Sequence, residues 1–271
     1  MAEQQADPLA EWRLRQEPYY QPVGHEIAAF DAARTARLPL LLKGPTGCGK
    51  TRFVEHMAWR LQLPLITVAC HEDLSASDLA GRWLLDAQGT RWMDGPLAQA
   101  VRHGGLCYLD EFMEARADTT VLLHPLADTR RVLSLERCGE LLHAHPDFQL
   151  IVSYNPGYQG IHRELKPSTR QRFVAMNFDY PDPPTETGIV QREGLASSEL
   201  AGQLVRFAVR TRHLRDEGLE EGASTRMLVH AALLARAGLS PHDATMQAIA
   251  DPLSDDPDVG AVLRALVLAS F

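Results

Sequence analysis

The sequence predicts an α/β protein in which a parallel sheet with crossover helices is followed by a small all-helical domain. Short apolar runs alternate with helical periodicity as far as residue 178, which is typical of a parallel sheet. The run Pro181-Asp182-Pro183-Pro184 then breaks the pattern, and only helical spacing follows it. We therefore interpret residues 1–22 as a polar N-terminal arm, 23–184 as the α/β domain and 185–271 as the helical domain.

The elements of the α/β domain are predicted from local patterns. Apolar runs bounded by turn residues predict buried strands over 38–42, 65–69, 106–109, 148–152 and 172–178. Helical apolar spacing predicts helices over 24–36, 52–61, 95–103 and 112–128. Two apolar runs on either side of Cys138-Gly139, at 131–135 and 140–144, indicate a hairpin.

Composition excludes several classes of function. The 271 residues include 27 basic and 35 acidic side chains, and a net charge of −8 argues against a general electrostatic attraction to nucleic acid. No apolar run approaches the roughly 18–20 residues of a membrane span, so no membrane insertion is expected. The four cysteines form no CxxC motif and no signal peptide is visible, so we expect a cytoplasmic protein.

A glycine-rich stretch follows the first predicted strand. It fits the pattern G-x-x-x-x-G-K-[ST] with Gly44, Pro45, Thr46, Gly47, Cys48, Gly49, Lys50 and Thr51. Phosphate needs backbone N–H groups that point inward, and glycines let a loop turn tightly enough to supply them. Lys50 is expected to reach the β- and γ-phosphates of a nucleotide, and the Thr51 hydroxyl to bind Mg²⁺. A plain glycine-rich turn is the alternative, which the strand before it and the helix after it disfavour.

Two acidic residues, Asp110 and Glu111, follow the strand predicted over 106–109. Adjacent carboxylates at the end of a buried strand repel each other unless a cation lies there, and Mg²⁺ suits that position. We expect Asp110 to hold the metal through water and Glu111 to orient or deprotonate an attacking water. An acid pair that caps a helix is the alternative.

Further polar residues are candidates for contacts to phosphate. Asn155 follows the strand over 148–152, where its amide would hydrogen-bond a γ-phosphate or the attacking water; a turn residue before Pro156 is the alternative. Arg226 lies in the first turn of a helix that Ser224 would cap, where a cation opposes the helix dipole and needs an anionic partner. Taken singly, each of Arg170, Arg172 and Arg226 is better interpreted as a solvated surface charge.

Two of the four tryptophans, Trp83 and Trp92, lie in one short stretch between predicted core elements. One interpretation is an exposed loop that binds a partner, since tryptophan is enriched at interfaces. The other is the local packing of a hairpin. The sequence alone favours neither.

These residues together resemble the MoxR branch of AAA+ ATPases, specifically its CbbQ/NorQ/GvpN subgroup, and most closely the CbbQ type. The resemblance spans roughly residues 18–271, nearly the whole chain. It is carried, in order, by residues 44–51, 78–83, 94–97, 108–111, 139–140, 144–148, 155–158, 170–173 and 224–226.

The resemblance implies an AAA+ core with a helix-2 insertion over 74–94 and a presensor-1 hairpin over 130–145, followed by a helical lid. It also implies a homo-hexameric ring that binds ATP and Mg²⁺ between subunits. By position, Lys50 and Thr51 match its Walker A motif, Asp110 and Glu111 its Walker B motif, Asn155 its sensor 1, Arg226 its sensor 2, and Val23 and Gly24 the segment against adenine. Arg172 best matches its arginine finger, and Arg170 is the rival.

The resemblance further implies an adaptor with a von Willebrand factor A domain (CbbO-like) and a client enzyme. CbbQ types release inhibitory sugar phosphates from Rubisco, NorQ types activate nitric oxide reductase, and GvpN types act in gas-vesicle formation. Residues 17–20 and 83–86 fit the first two types, and we favour a Rubisco client. The alternatives are nitric oxide reductase as client, a nucleotide-gated binding module with little turnover, and a nucleic-acid motor, which the net charge disfavours.

Overall fold

The computed structural model describes residues 8–87, 89–156, 165–214 and 219–271. The chain divides into two compact units. The sheet unit consists of the described residues up to Tyr20 and those within 24–43 and 50–177, and the helical unit of those within 21–23, 44–49 and 178–271. In the described part of the chain, no helix is both long and apolar enough to cross a membrane.

The sheet unit is built on a five-stranded parallel sheet with the strand order β2-β5-β8-β1-β9, as the alternation of strands and helices predicts. Its strands are β1 (Leu40–Lys43), β2 (Leu65–Ala69), β5 (Gly105–Asp110), β8 (Phe148–Tyr154) and β9 (Val174–Asn177). The strands β5 and β8 are buried along almost their whole length, as expected where helices cover both faces of a parallel sheet. The carboxyl ends of β1, β5 and β8 lie at one edge of this sheet.

The helices of the sheet unit are α1 (Glu26–Thr35), α2 (Lys50–Leu61), α3 (Ala76–Ala80), α4 (Pro96–His103), α5 (Ala117–Leu123) and α6 (Pro167–Arg170). The prediction of one helix over 112–128 is wrong. Phe112–Glu114 form a 3₁₀ turn, and Ala115 and Arg116 are extended before α5 begins. This turn buries Phe112 in the core, and Pro125 lacks the N–H that would continue the helix beyond α5.

Two antiparallel hairpins leave the sheet. The first joins β3 (Gly81–Asp86) to β4 (Gly89–Asp94), and the second joins β6 (Val132–Leu135) to β7 (Glu140–His143). Arg102 of α4 links the two: its Nε lies 2.7 Å from Asp94 Oδ2, and its two terminal nitrogens lie 2.7 and 2.8 Å from the Glu140 carboxylate. These hairpins occupy the stretches for which the family resemblance implies an insertion and a presensor-1 hairpin.

Trp83 and Trp92 face each other across the first hairpin. They are direct cross-strand partners with ring centroids 5.6 Å apart in an edge-to-face arrangement. The Trp83 indole N–H donates to the carbonyl of Arg137 in the second hairpin at 3.0 Å, although half of Trp83 stays exposed. Hairpin packing therefore accounts for both tryptophans, and the exposed half of Trp83 remains available to solvent.

The helical unit contains only helices among its described elements, as the sequence predicts. They are α7 (Pro183–Glu193), α8 (Ser198–His213), α9 (Thr225–Arg236), α10 (Pro241–Thr245), a π-helical turn (Met246–Ala250), α11 (Asp251–Leu253) and α12 (Pro257–Leu268). The proline run that ends the alternation of strands and helices also contains the start of α7. Asp182 caps α7, and Pro183 occupies its first position, where a missing N–H costs nothing.

The described part of the predicted N-terminal arm is packed on the sheet unit. Leu9 is 1% exposed and belongs to the main apolar cluster, against which Trp12 also packs. A short 3₁₀ helix, Ala10–Trp12, follows Leu9 and brings Trp12 to the same cluster. The apolar residues of this stretch alternate with charged ones over too few positions for the pattern to predict this burial.

Truncating Leu9 tests that packing. We expect Leu9→Ala to lower the free energy of unfolding by about 2–3 kcal/mol, because a buried leucine leaves a cavity when it is shortened. Leu85→Ala is the matched control, since Leu85 is 83% exposed on the first hairpin. Urea denaturation followed by circular dichroism measures both. Equal midpoints for the two variants would show that residues 8–12 do not contribute to the core.

Candidate functional site

The first element of the site joins two motifs that lie 105 residues apart. Lys50 begins α2 and is only 7% exposed, and its Nζ donates to Asn155 Oδ1 at 2.8 Å. Asn155 directly follows β8, and β8 is hydrogen-bonded to β1, which leads into the glycine-rich loop. The two residues meet because parallel neighbouring strands end at the same edge of the sheet.

The second element is a network around Asp110 at the end of β5. Thr51 donates its hydroxyl to Asp110 Oδ2 at 3.2 Å, and Tyr108 donates to Oδ1 at 2.8 Å. The Ser153 hydroxyl donates to the same Oδ1. Tyr108 and Ser153 are fully buried, and burial, reinforced by the Asp110 charge, raises the pKa of Tyr108 above its ordinary value, so its hydroxyl stays a donor.

The sequence does not predict Tyr108 or Ser153 as residues of the site. Tyr108 lies two residues before Asp110 on the same strand face, which is a weak signal for a shared site. Ser153 interrupts the apolar run of β8, and a buried hydroxyl of this kind needs a partner.

The Thr51 and Asp110 oxygens suit a divalent cation. Both are hard oxygen donors, and the hydrogen bond of 3.2 Å between Thr51 Oγ1 and Asp110 Oδ2 places them side by side at the sheet edge. Thr51 would bind the metal directly and Asp110 would hold it through water. Among the described residues no group of three or more His, Cys, Asp or Glu side chains could hold a metal. A metal held by few side chains, with water and phosphate as the other ligands, is characteristic of Mg²⁺.

Glu111 is presented to solvent by a strained backbone. Its φ of 54° and ψ of 40° are left-handed values, which are uncommon for a residue with a side chain. Its backbone N–H donates to Ser153 Oγ at 3.2 Å and to Asp110 Oδ1 at 3.1 Å, so the surrounding network holds this conformation. The Glu111 side chain is exposed at the strand edge, one residue beyond Asp110.

The buried Cys70 thiol lies near these carboxylates and is unreactive. Burial, reinforced by the charges of Asp110 and Glu111, raises the pKa of Cys70 to about 12. A thiol is nucleophilic as its thiolate, so Cys70 is not a candidate nucleophile at neutral pH.

Side chains of the helical unit hydrogen-bond to the backbone of the glycine-rich loop. The Thr46 N–H donates to Glu221 Oε1 at 3.1 Å, and the Tyr180 hydroxyl donates to the Thr46 carbonyl at 3.1 Å. Gly47 has a φ of +66°, and a Cβ there would lie 2.7 Å from the Ser224 side chain. The loop therefore requires glycine at this position. Neither Glu221 nor Tyr180 is predicted from the sequence as a residue of the site.

Arg226 lies beside the same loop. Ser224 caps α9 as expected, accepting from the Met227 N–H at 3.4 Å. Arg226 is exposed in the first turn of α9, and its Cβ lies 3.3 Å from the position that a Cβ on Gly47 would take. A guanidinium at this helix terminus is close enough to the loop to meet an anion bound there.

A buried ion pair lies behind this part of the helical unit. Glu186 is fully buried and binds Arg212 in a bidentate pair, with N···O distances of 2.8 and 2.6 Å. Thr225 donates to Glu186 Oε1 at 2.6 Å, and the Arg212 guanidinium stacks 3.8 Å from the centre of the Tyr180 ring. This arrangement connects the start of α9 to Tyr180.

The remaining predicted residues differ in exposure. Arg170 is exposed at the end of α6, whereas Arg172 is partly buried and donates to the Ser168 carbonyl. The Arg172 Nε is buried with no hydrogen-bond partner among the described residues. Val23 is 48% exposed, and Gly24 follows it in an exposed bend.

The fold and the glycine-rich loop define a class of protein, the AAA+ ATPases. A family model described as AAA domain (dynein-related subfamily) matches residues 39–173. A second model, described as CbbQ/NirQ/NorQ C-terminal, matches residues 186–270. The structure is also similar to that of a mutant RuvB from Thermotoga maritima, with a TM-score of 0.58, 16% identity, and coverage of 93% of this chain and 73% of that one. At that identity the likeness shows the fold alone.

Curated relatives narrow the class to a family. Protein CbbQ of Hydrogenophilus thermoluteolus is 55% identical over 96% of this chain and 98% of its own. Denitrification regulatory protein NirQ of Stutzerimonas stutzeri is 57% identical over 94% of this chain and 92% of its own. Protein NorQ of Paracoccus denitrificans is 56% identical over 94% of each chain. The chain belongs to the CbbQ/NirQ/NorQ family of AAA+ ATPases.

Proposed function

We propose that this chain is the Mg²⁺-dependent motor subunit of a ring that hydrolyses ATP to ADP and phosphate and thereby remodels a client enzyme. The observation that carries the proposal is the pair of contacts at the sheet edge, Lys50 on Asn155 and Thr51 on Asp110. In this proposal the nucleotide-binding core is residues 23–184 and the lid is residues 185–271. Val23 and Gly24 lie against adenine, and the loop from Gly44 to Thr51 binds the phosphates.

The chain's own residues supply the chemistry of hydrolysis. Lys50 brings a buried positive charge to the β- and γ-phosphates, and the contact with Asn155 keeps both groups at the sheet edge. Thr51 and Asp110 hold Mg²⁺, which when bound offsets charge on the same phosphates. Glu111 accepts a proton from a water molecule while the water oxygen attacks the γ-phosphorus. The bond between the γ-phosphorus and the oxygen that leaves with ADP then breaks.

Two further sites act on the phosphates in this proposal. Arg226 is the lid arginine that meets them from α9. Arg172, with Arg170 as rival, reaches the active site of the neighbouring subunit, so the ring is a homo-hexamer whose sites are complete only between subunits. An arginine supplied in this way raises turnover by roughly 10³–10⁵.

The ring works with a CbbO-like adaptor that contains a von Willebrand factor A domain, and its client is Rubisco, from which it releases inhibitory sugar phosphates. Support comes from the 55% identity to Protein CbbQ over almost the full length of both chains. We place this activity in the cytoplasm, where ATP is available and the four free thiols stay reduced.

A second client is nitric oxide reductase. The observation in its favour is the 57% identity to a denitrification regulatory protein, NirQ, and the 56% identity to NorQ. These values are as high as the identity to CbbQ, so the client must be decided by assay.

Reconstitution with purified components tests the client. The chain, its cognate adaptor, ATP and Mg²⁺ are added to Rubisco inhibited by a sugar phosphate, and carbon fixation is followed over time. We expect fixation to recover only when ATP and the adaptor are both present, and Lys50→Ala to abolish recovery. Recovery of nitric oxide reductase activity instead, in a parallel reaction, would replace the Rubisco proposal with the second client.

A further inference from the structure

Thr46 lies in the middle of the loop that the proposed function assigns to phosphate. Both its backbone polar groups are engaged by side chains: the N–H by the Glu221 carboxylate and the carbonyl by the Tyr180 hydroxyl, each at 3.1 Å. An anion-binding loop works through the directions of its N–H groups, so whatever holds its backbone also sets those directions.

Glu221 lies in a segment that packs closely against α8. A Cβ on Gly222 would lie 2.5 Å from the Cα of Arg212, so the segment touches the helix backbone there. The backbone of Ala223 is hydrogen-bonded to α8 on both sides. Its N–H donates to Thr211 Oγ1 at 3.0 Å, and its carbonyl accepts from Arg212 Nε at 2.9 Å. Glu221 is thus held at its neighbours and not only by its own contact.

Tyr180 is anchored equally well. Arg212 stacks on its ring, and the fully buried Glu186 holds the Arg212 guanidinium in a bidentate pair. Glu186 also accepts from Thr225, the residue before Arg226. Tyr180 is therefore connected, through buried and charged contacts, to the helix that presents Arg226.

We propose that Glu221 and Tyr180 are positioning residues that hold the phosphate loop in its binding conformation from the helical side. The inference rests on the proposed function, because it concerns the same nucleotide site. Neither side chain needs to touch the nucleotide. Each reduces the ordering that the loop must undergo when phosphate binds, and preorganisation of this kind appears as nucleotide affinity.

Matched variants separate this role from a change of charge. Glu221→Ala removes the contact with the Thr46 N–H. Glu220→Ala removes an equal charge at the neighbouring residue, whose side chain is exposed. Glu221→Gln keeps an oxygen that accepts from Thr46, and Tyr180→Phe keeps the ring against Arg212 while removing the hydroxyl. The measurements are the dissociation constants of ADP and ATP by calorimetry, KM and kcat, and the Tm of the nucleotide-free protein.

We expect Glu221→Ala, relative to Glu220→Ala, and Tyr180→Phe, relative to wild type, each to weaken nucleotide binding about fivefold, the equivalent of one hydrogen bond. KM for ATP should rise by the same factor, and Glu221→Gln should bind nucleotide almost as tightly as wild type. A merely structural role would lower the Tm and leave the dissociation constants unchanged.

Two outcomes overturn the inference, and they are distinguishable. If wild type binds nucleotide and Lys50→Ala does not, but Glu221→Ala and Tyr180→Phe bind within twofold of their controls, the proposed function stands and the positioning role is wrong. If wild type binds no nucleotide, the proposed function fails and the inference fails with it. Should Tyr180→Phe fold poorly, Glu221→Ala decides the matter alone.

Discussion

Replacing Glu111 by glutamine should leave ATP bound and reduce its hydrolysis by roughly 10²–10⁴, the usual contribution of a general base. The amide is close in size to the carboxylate but does not accept a proton from water. The backbone N–H of Glu111, rather than its side chain, makes the contacts to Ser153 and Asp110, so the local fold should persist. Phosphate release measures turnover, and equilibrium binding of ATP measures the retained affinity.

Glu114→Gln is the matched control for this variant. It makes the same chemical change three residues later at another exposed side chain. We expect it to hydrolyse ATP at the wild-type rate. Wild-type turnover that persists in Glu111→Gln would remove Glu111 from the mechanism. A wild-type chain that binds ATP with almost no turnover would instead support a nucleotide-gated binding module.

Replacing Arg172 by alanine should lower ATP hydrolysis about 10³-fold or more, as expected for loss of an arginine finger. The effect should be rescued in trans. Mixed with Glu111→Gln subunits, which are themselves inactive, an Arg172→Ala subunit retains Glu111 and can receive Arg172 from its neighbour. Activity should therefore reappear on mixing two inactive proteins and depend on their ratio.

Arg170→Ala is the control that decides between the two arginines. Arg172 is partly buried and bonded to the Ser168 carbonyl, whereas Arg170 is exposed two residues earlier. We expect Arg170→Ala to retain turnover. If Arg170→Ala loses turnover and regains it on mixing with Glu111→Gln subunits, while Arg172→Ala does not, then Arg170 is the arginine finger. An inactive variant that no mixture restores would show that the residue does not act between subunits.

Much of the sheet unit could be predicted because its signals are local and strong. The apolar runs predict β1, β2, β5 and β8 to within two residues at each end. The approach of Lys50 to Asn155 and of Thr51 to Asp110 also follows from the sequence, since parallel strands bring their carboxyl ends to one edge.

The supporting contacts could not be predicted, because they depend on residues far apart in the chain. Thr46 and Glu221 are separated by 175 positions, and nothing near either residue indicates the other. The buried pair of Glu186 and Arg212 is similar: each resembles a surface charge of an amphipathic helix until the packing is known. Leu9, Trp12 and Leu14 lie among charged residues in a stretch too short for a clear period, so the sequence does not predict the burial of Leu9.

The left-handed backbone of Glu111 has a consequence for protein engineering. Such a conformation costs a residue with a Cβ of the order of 1–3 kcal/mol, and glycine or asparagine would relieve it. A library selected only for heat resistance would accumulate those residues at position 111, and on the proposed role of Glu111 as the general base the survivors would be more stable proteins without turnover. Directed evolution of this scaffold should therefore hold position 111 constant while other positions are varied.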